Sequence, residues 1–377
     1  MAKNKRGNGE GSISRHKKSG LYMARYSVQT ATGPKRKTIY GKTRREVDEK
    51  LTRAKADRNI GLAFDSDNLK VGEYLQRWLS DSVKDSVKQT TYESYERLAR
   101  IHLVPTLGRI KLKNLTPAHV RGLYREKLDS GLSASSVQRI HALLHKALKQ
   151  AVNDGLIPRN VTDGVTRPKQ SRKEIQALSL EQARTFLQAA RSDRLEALYL
   201  LAIHTGLRQG ELLGLKWYDV DLDQGTLQVR RILSAAKSGP TFTTPKNDKG
   251  RSVRLTPQAM QALRDHRKRQ IEERLKHAGY WQNTDLVFTS TVGTPLNRHN
   301  VFRRSFKPLL RHAGLPDIPF HALRHSFATL MLSGREHPKI VQEMLRHSRI
   351  NTTLDFYSHI LPDMQREAVD RLDVMLS

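Results

Sequence analysis

Alternating apolar and polar positions mark the start of the chain, and longer helical stripes follow. The alternation predicts strands at residues 12–15, 21–29 and 35–40, separated by turns rich in Gly, Ser and Pro. Thr43 and Glu46 have the spacing of a capping box that opens a helix. The first sixty residues are therefore expected to form a small α+β module with a three-stranded sheet and one helix.

Apolar residues recur three and four positions apart through the next part of the chain. This spacing predicts helices at residues 69–79, 92–103, 117–128 and 133–153. Four helices and no alternating run predict an all-α domain over residues 69–155. Residues 156–177 lack apolar periodicity and combine two prolines with a basic cluster, so we expect a linker there.

Helical and alternating patterns are mixed from residue 178 to the end, which predicts a mixed α/β domain over 178–377. Ser179 is placed to cap a helix that leads into an apolar helix ending near residue 203. Strands are predicted at 226–232, 240–244, 251–255 and 286–289. Further helices are predicted at 257–278 and 297–312, and another begins at Pro338.

The net positive charge of the chain indicates a polyanionic partner. Lys and Arg number 67 against 37 Asp and Glu, which gives a net charge of +30 and a pI near 10.4. Nucleic acid is the first candidate, and no apolar run approaches the roughly 18 residues of a membrane-spanning helix. Cysteine is absent from the sequence, which excludes disulfides and thiolate metal sites and is typical of a reducing cytoplasm.

Candidate chemistry is concentrated between residues 319 and 359. The stretch holds a phenol, a guanidinium and several imidazoles, on His321, Arg324, His325, His347, Tyr357 and His359. A tyrosine oxygen can attack a phosphodiester if an imidazole assists its deprotonation and guanidinium groups stabilise the charge on the phosphate. A single Tyr near a helix end is more often a half-buried packing residue. The prediction that Tyr357 is a nucleophile therefore depends on the cationic and imidazole groups near it.

A zinc site is the alternative for the same histidines. His321 and His325 are four residues apart, as in a helical zinc pair, and His347 or His359 could be a third ligand. Against this reading, the position of the metalloprotease glutamate is Ala322, and a cationic Arg324 beside a divalent ion is unfavourable.

A second motif lies at residues 205–215, where glycines flank Arg208 and Glu211. Glycines allow a tight turn that could bring a guanidinium close to a phosphate, although Arg and Glu three apart also form ordinary surface pairs. Further along, Lys246 and Lys249 lie in the connection between two predicted strands, where a lysine is usually only solvated.

These motifs together resemble those of the tyrosine recombinases, the phage integrase family. The resemblance rests on His321-x-x-Arg324, on Leu345-Arg346-His347-Ser348, on Thr353-x-x-x-Tyr357-x-His359 and on the box around Arg208. Arg346 departs from the family pattern, which commonly has Gly before this histidine, and the departure leaves His347 in register.

The resemblance implies site-specific DNA recombination through a 3′-phosphotyrosyl intermediate that requires neither a metal nor ATP. Tyr357 would be the nucleophile, Arg208 and Arg324 would hold the phosphate, and Glu211 would support Arg208. His321 would assist proton transfer and His347 would hydrogen-bond the phosphate. Lys246 would protonate the leaving 5′-oxygen, with Lys249 as the rival candidate.

The resemblance also assigns the domains and their partners. Residues 1–61 would be an arm-type DNA-binding domain, residues 69–155 the core-binding domain and residues 178–377 the catalytic domain. Double-stranded DNA with core and arm sites, a homotetramer, an excisionase and a DNA-bending protein are the expected partners, in a bacterial cytosol. Residues 1–61 carry 17 Lys and Arg against 5 Asp and Glu, a net charge of +12. Candidate DNA contacts there are Arg15, Lys17, Lys18, Arg25, Lys35, Arg36 and Lys37.

Two other classes of protein would share parts of this pattern. A type IB topoisomerase uses a similar constellation, but the separate basic module at the front favours a recombinase that holds two kinds of site. A regulator on a decayed recombinase scaffold would bind DNA without cleaving it, and it is disfavoured because all six expected catalytic positions are filled.

Overall fold

A computed structural model gives the architecture of the chain. It describes residues 13–17, 19–30, 33–59, 68–169, 176–236, 239–244, 250–346, 350, 354, 370 and 372–376. The chain divides into two compact units, residues 1–172 and residues 173–377. The finer division into arm, core-binding, linker and catalytic segments stays a prediction.

A small α+β module opens the first unit, as predicted. Its antiparallel sheet has the strands β1 (Ile13–Arg15), β2 (Tyr22–Thr30) and β3 (Gly33–Gly41) in that order, and helix α1 (Arg44–Asn59) follows. The predicted capping box is confirmed in part. The hydroxyl of Thr43 accepts a hydrogen bond from the Glu46 amide at 3.1 Å, but the Glu46 carboxylate accepts from the amide of Lys42 at 2.8 Å.

One face of this sheet carries the core of the module. Ala24 and Tyr26 are buried with Val47 and Leu51 of α1, and Ile39 packs against them. Because side chains alternate across a strand, the neighbouring residues of β2 and β3 lie on the opposite face. That face is used below.

Helices make up the rest of the first unit. They are α2 (Val71–Trp78), α3 (Gln89–Leu98), α4 (Val104–Leu107), α5 (Pro117–Asp129) and α6 (Ala134–Asn153). Ser133 caps α6, accepting from the Ser136 amide at 3.3 Å, and the buried face of α6 includes Val137, Ile140 and Leu144. The four predicted helices are confirmed, with α4 continuing the second after a π-helical turn at Ala99–Leu103.

The packing of the helical part extends beyond residue 155, into the segment predicted as linker. Ile157 and Val165 are buried in the same core as α6. Asn160 and Thr162 both hydrogen-bond the His145 side chain, at 3.0 and 2.9 Å. Isolated apolar residues without periodicity can still pack when polar neighbours fix the loop, and sequence periodicity does not detect this.

The second unit mixes helices and strands, as predicted. Its described helices are α7 (Leu180–Ala190), α8 (Glu196–Thr205), α9 (Gln209–Leu213), α10 (Pro257–Lys276), α11 (Arg298–Val301), α12 (Lys307–His312), α13 (Ala322–Ser333) and α14 (Pro338–Leu345). Its described strands are β4 (Val220–Asp221), β5 (Thr226–Val229), β6 (Ile232–Ala236), β7 (Gly239–Thr243) and β8 (Arg251–Arg254). Strands β4, β5 and β8 form an antiparallel sheet in that order, and β6 pairs with β7.

Helix α8 lies at the centre of this unit. It is apolar on all sides, and Leu198, Tyr199 and Leu201 are completely buried. The ring of Tyr199 lies 5.4 Å from Phe186 and 5.8 Å from Phe306, measured between ring centroids. This buried helix ends at the arginine motif and so fixes where that motif begins.

Two sequence predictions in this unit needed correction. The strand predicted at residues 226–232 divides into β5 and β6, because Arg230 and Arg231 both turn toward the buried carboxylate of Asp219. Consecutive side chains of a regular strand point to opposite faces and could not do this. Residues 286–289 form only isolated bridges, Leu286 with Lys216 and Thr289 with Pro295, rather than a strand.

Candidate functional site

The arginine motif begins with a glycine in a left-handed conformation. Gly206 ends α8 with φ +61°, and a Cβ there would lie 2.5 Å from Phe327 and 2.7 Å from Leu345. No other residue fits, because both the backbone angle and the space exclude a side chain. The tight turn places Arg208 at the N-terminal cap of α9.

Glu211 joins two arginines in a buried cluster. Its carboxylate accepts hydrogen bonds from the Arg208 guanidinium at 2.9 Å, from the Arg208 amide at 3.0 Å and from the Arg251 guanidinium at 3.0 Å. The side chains of Glu211 and Arg251 are 3% and 8% exposed, whereas that of Arg208 is 43% exposed. Arg208 therefore has a fixed inner edge and an outer edge that remains accessible to a ligand.

The charges of this cluster are mutually dependent. Burial alone would raise the pKa of Glu211, but the cations of Arg251 and Arg208 and the hydrogen bonds from Arg208 hold it below its ordinary value. Burial lowers the pKa of Arg251, and the ion pair with Glu211 opposes that shift. Glu211 is consequently ionised at neutral pH and orients both guanidinium groups.

Arg324 reaches the same place from α13. Its guanidinium donates to the carbonyl of Gly206 at 2.6 Å and to the carbonyl of Leu345, so it connects the end of α8 to the end of α14. Burial, together with the charge of Arg208, lowers the pKa of Arg324 to about 9, which still leaves it cationic at neutral pH. The structure thus brings together Arg208 and Arg324, which are 116 positions apart in the sequence.

His321 lies at the N-terminal cap of α13, one turn before Arg324. Burial lowers its pKa, and the nearby charges of Arg324 and Arg208 lower it further. It is therefore neutral at neutral pH and able to accept a proton. Its ring meets that of His325 edge to face, with centroids 4.6 Å apart.

Sequence reasoning missed Arg251. It predicted this residue only as the start of a strand, and its ion pair with Glu211 depends on a contact across 40 positions. The available signal was its place directly after the connection that carries Lys246 and Lys249. Those two lysines, His347, Tyr357 and His359 lie outside the described residues, so their predicted roles stay predictions.

The candidate DNA contacts of the front module do not all lie on the same face of its sheet. Arg25 and Arg36 are exposed on the face of the sheet opposite α1, whereas Lys37 is paired with Tyr26 on the core face. Arg15 donates to the carbonyl of Gly20 at 3.1 Å within its own turn, next to exposed Lys17. Lys18 and the side chain of Lys35 lie outside the described part.

The described part of the chain contains neither a metal-ligand cluster nor a membrane-spanning helix. No three His, Cys, Asp or Glu side chains are gathered there as a metal ion would require. The helices described there are all too short or too polar to cross a membrane.

Comparison with known sequences identifies the family. Residues 176–364, half of the chain, match the phage integrase family, and residues 70–128 match the N-terminal SAM-like domain of phage integrases. A tyrosine recombinase XerC-like protein of Caldanaerobacter subterraneus is 31% identical over 90% of this chain and 91% of its own length. An integrase of Streptomyces ambofaciens is 30% identical over 98% of this chain and 97% of its own.

Solved structures show the same multidomain fold. The Tn1549 transposon integrase in complex with transposon right end DNA matches with a TM-score of 0.69 at 23% identity, over 81% of this chain and 100% of that one. A lambda integrase dimer bound to a COC′ core site matches with a TM-score of 0.62 at 20% identity, over 94% of this chain and 96% of that one. With the fold, the arginine cluster and the sequence matches in agreement, the chain belongs to the phage integrase family of tyrosine recombinases.

Proposed function

We propose that this integrase cuts and rejoins double-stranded DNA at specific sites through a phosphotyrosyl intermediate, and that it integrates a phage or mobile element. The observation that carries the proposal is the arginine cluster. The charge of Arg208 lowers the pKa of both Arg251 and Arg324, and the carboxylate of Glu211 raises both, so three guanidinium groups lie close to a single carboxylate. Such an excess of fixed positive charge favours an anion such as a phosphodiester.

The reaction follows from the assigned roles. The phenol oxygen of Tyr357 attacks phosphorus as its proton passes to neutral His321, and the bond to the 5′-oxygen breaks. Arg208, Arg324 and His347 stabilise the charge on the non-bridging oxygens. Lys246 or Lys249 gives a proton to the leaving 5′-oxygen. A 5′-hydroxyl of a second strand then reverses these steps, and the bond energy is kept in the phosphotyrosine.

Strand exchange between two duplexes sets the number of subunits. Each of the four strands is cut once and each cut holds one tyrosine, so we propose a homotetramer on paired sites. An excisionase and a DNA-bending protein remain proposals that come from the family resemblance alone.

Formation of a covalent adduct tests the proposed function. The wild-type chain should become linked to the 3′-phosphate side of a nicked suicide duplex that carries its core site, seen as a shifted band on a denaturing gel. The yield should be unchanged in EDTA, because guanidinium and ammonium groups occupy the place of a divalent cation. Loss of the adduct in EDTA and its return with zinc or magnesium would contradict the mechanism. That result would instead favour a metal site formed by the histidines.

The front module would bind separate arm sites through the uncovered face of its sheet. Arg25 and Arg36 are exposed there, together with Ser27, Thr38 and Tyr40. Among the described residues of the module, helix α1 covers only the other face, and this basic surface would enter a groove of DNA. Binding to an arm site would raise the effective concentration of the catalytic unit at a core site held on the same DNA.

Removing charge from that sheet face should therefore weaken arm binding in a salt-dependent way. In Arg25→Gln/Arg36→Gln, the slope of log K against log salt for arm DNA should fall by about 1.8, since each lost phosphate contact contributes about 0.9. The matched control, Arg44→Gln/Arg45→Gln, removes the same charge from exposed positions of α1 and should change the slope much less. Equal effects of the two variants would count against the sheet face.

Deletion of residues 1–61 extends the same prediction to recombination. The truncated chain should still cleave a short core duplex, but it should lose integration into a substrate that depends on arm sites. Undiminished integration and unchanged arm footprints would show that the module is not an arm-binding domain.

A further inference from the structure

Arg346 holds a backbone conformation that disfavours its side chain. It follows α14 with φ +50° and ψ +52°, the left-handed region that glycine usually occupies at the end of a helix. Its amide donates to the carbonyls of Gln342 and Glu343, which closes the helix. The family preference for Gly at this position has a physical reason in this turn, and the arginine here carries a strain that glycine would relieve.

The guanidinium of Arg346 makes a long-range contact. Its Nη2 donates to the carbonyl oxygen of Gly250 at 3.3 Å, across 96 positions of the sequence. Gly250 directly precedes Arg251, the first residue of β8 and the residue that pairs with Glu211. The strained turn is thus joined to the strand that supports Arg208.

The charge of Arg346 acts on the same guanidinium that pairs with Glu211. Arg346 and Arg208 both lower the pKa of Arg251, behind the larger effect of burial, whereas Glu211 is the acid that raises it. A second cation beside Arg251 is electrostatically unfavourable. Arg346 thus makes its contact with the Gly250 backbone from a left-handed conformation and beside another cation. Strain that persists in a structure commonly marks a functional position.

We infer that Arg346 is a positioning residue for DNA cleavage. It links the turn after α14 to the start of β8, and through Arg251 and Glu211 it holds the guanidinium of Arg208 in place. The same turn supplies the Leu345 carbonyl that Arg324 contacts, so both phosphate-binding arginines depend on it. The inference rests on the proposed function for its effect on cleavage, but the link itself is independent of that function.

Substitution by glycine separates the two consequences of this arrangement. Arg346→Gly relieves the backbone strain, so the thermal midpoint of the full chain should rise by about 2–4 °C, as expected for about 1 kcal/mol in a unit of this size. The same substitution should slow adduct formation about tenfold in single-turnover reactions at saturating DNA, because small displacements of catalytic groups slow reactions strongly. A purely structural role would move stability and cleavage in the same direction.

Arg335→Gly is the matched control. Arg335 is also an arginine with positive φ, +65°, just after α13. Removing its side chain should leave the cleavage rate within about twofold of wild type. Cleavage by Arg346→Gly at the wild-type rate, or equal slowing by both variants, would overturn the inference.

The route through Arg251 has its own test. In an Arg251→Gln background, Arg346→Gly should slow cleavage by less than about twofold more, since residues that act in one network are not additive. A further full tenfold loss would exclude this route.

Hydrogen exchange distinguishes failure of the inference from failure of the proposed function. Arg346→Gly should speed exchange of the amides at the start of β8, whether or not the protein cleaves DNA. Unchanged exchange there would overturn the link. A wild-type chain that forms no adduct, with faster exchange in the variant, would instead overturn the proposed function alone.

Discussion

Tyr357→Phe is expected to reduce covalent attachment to DNA below detection while leaving DNA affinity within about twofold of wild type. The substitution removes one hydroxyl, which is the proposed nucleophile, and no replacement oxygen stands on the side chain. It changes neither the net charge of +30 nor the arginines that would bind the phosphate. Suicide-substrate gels measure the adduct, and titration of labelled duplex measures the affinity.

Tyr280→Phe is the matched control for this experiment. Tyr280 is 83% exposed in the turn that follows α10, so loss of its hydroxyl should change neither adduct yield nor affinity. An adduct that persists in Tyr357→Phe would assign the nucleophile to another residue, which peptide mapping of the linked DNA would identify. Loss of both binding and cleavage would mean that Tyr357 supports the fold instead.

The sequence was sufficient for features that depend on local pattern. The helical stripe of α6 and the alternation in β2 each fix one face of an element, and periodicity reports faces directly. The spacing of His321 and Arg324 likewise follows from one helix. These residues could be predicted together because three positions along a helix bring side chains to neighbouring places.

Contacts between residues far apart in the sequence could not be predicted from local pattern. The ion pair of Arg251 with Glu211 and the contact of Arg346 with Gly250 depend on how β8 approaches α9 and α14. No period in the sequence encodes such an approach. The divided strand at Arg230 has the same origin, since the buried carboxylate of Asp219 competes with regular pairing.

One residue that makes such a long-range contact was nevertheless recognisable in the sequence. Arg346 stood out as a departure from the family pattern, and the structure gives that departure a left-handed backbone and a distant acceptor. Departures from a motif can therefore mark positions where the backbone conformation is kept and a side-chain contact is added.

Glu211→Gln should destabilise the catalytic unit more than any surface substitution in it. The change leaves the buried guanidinium of Arg251 without its counter-charge, and breaking a buried ion pair costs about 3–5 kcal/mol. For a unit of this size, 3 kcal/mol corresponds to a fall of about 6–12 °C in the thermal midpoint. The matched control is Glu343→Gln, whose carboxylate is 69% exposed and pairs with Lys339 at 3.7 Å, and it should change the midpoint by about 1 °C or less.

Acid should remove the difference between wild type and Glu211→Gln. The folded-state pKa of Glu211 is held below its ordinary value, so its contribution to stability is complete above about pH 4.5 and is lost as the pH falls through the folded-state value. Denaturant titrations should thus show a constant gap between the two proteins from pH 6 to 8 and a narrowing gap in acid. Adding Arg251→Met to Glu211→Gln should recover most of the lost stability, because no buried cation then lacks a partner, but it should not recover cleavage, because Arg208 stays unsupported. A gap that is absent at neutral pH, or a double variant less stable than Glu211→Gln, would contradict the buried ion cluster on which the phosphate site is built.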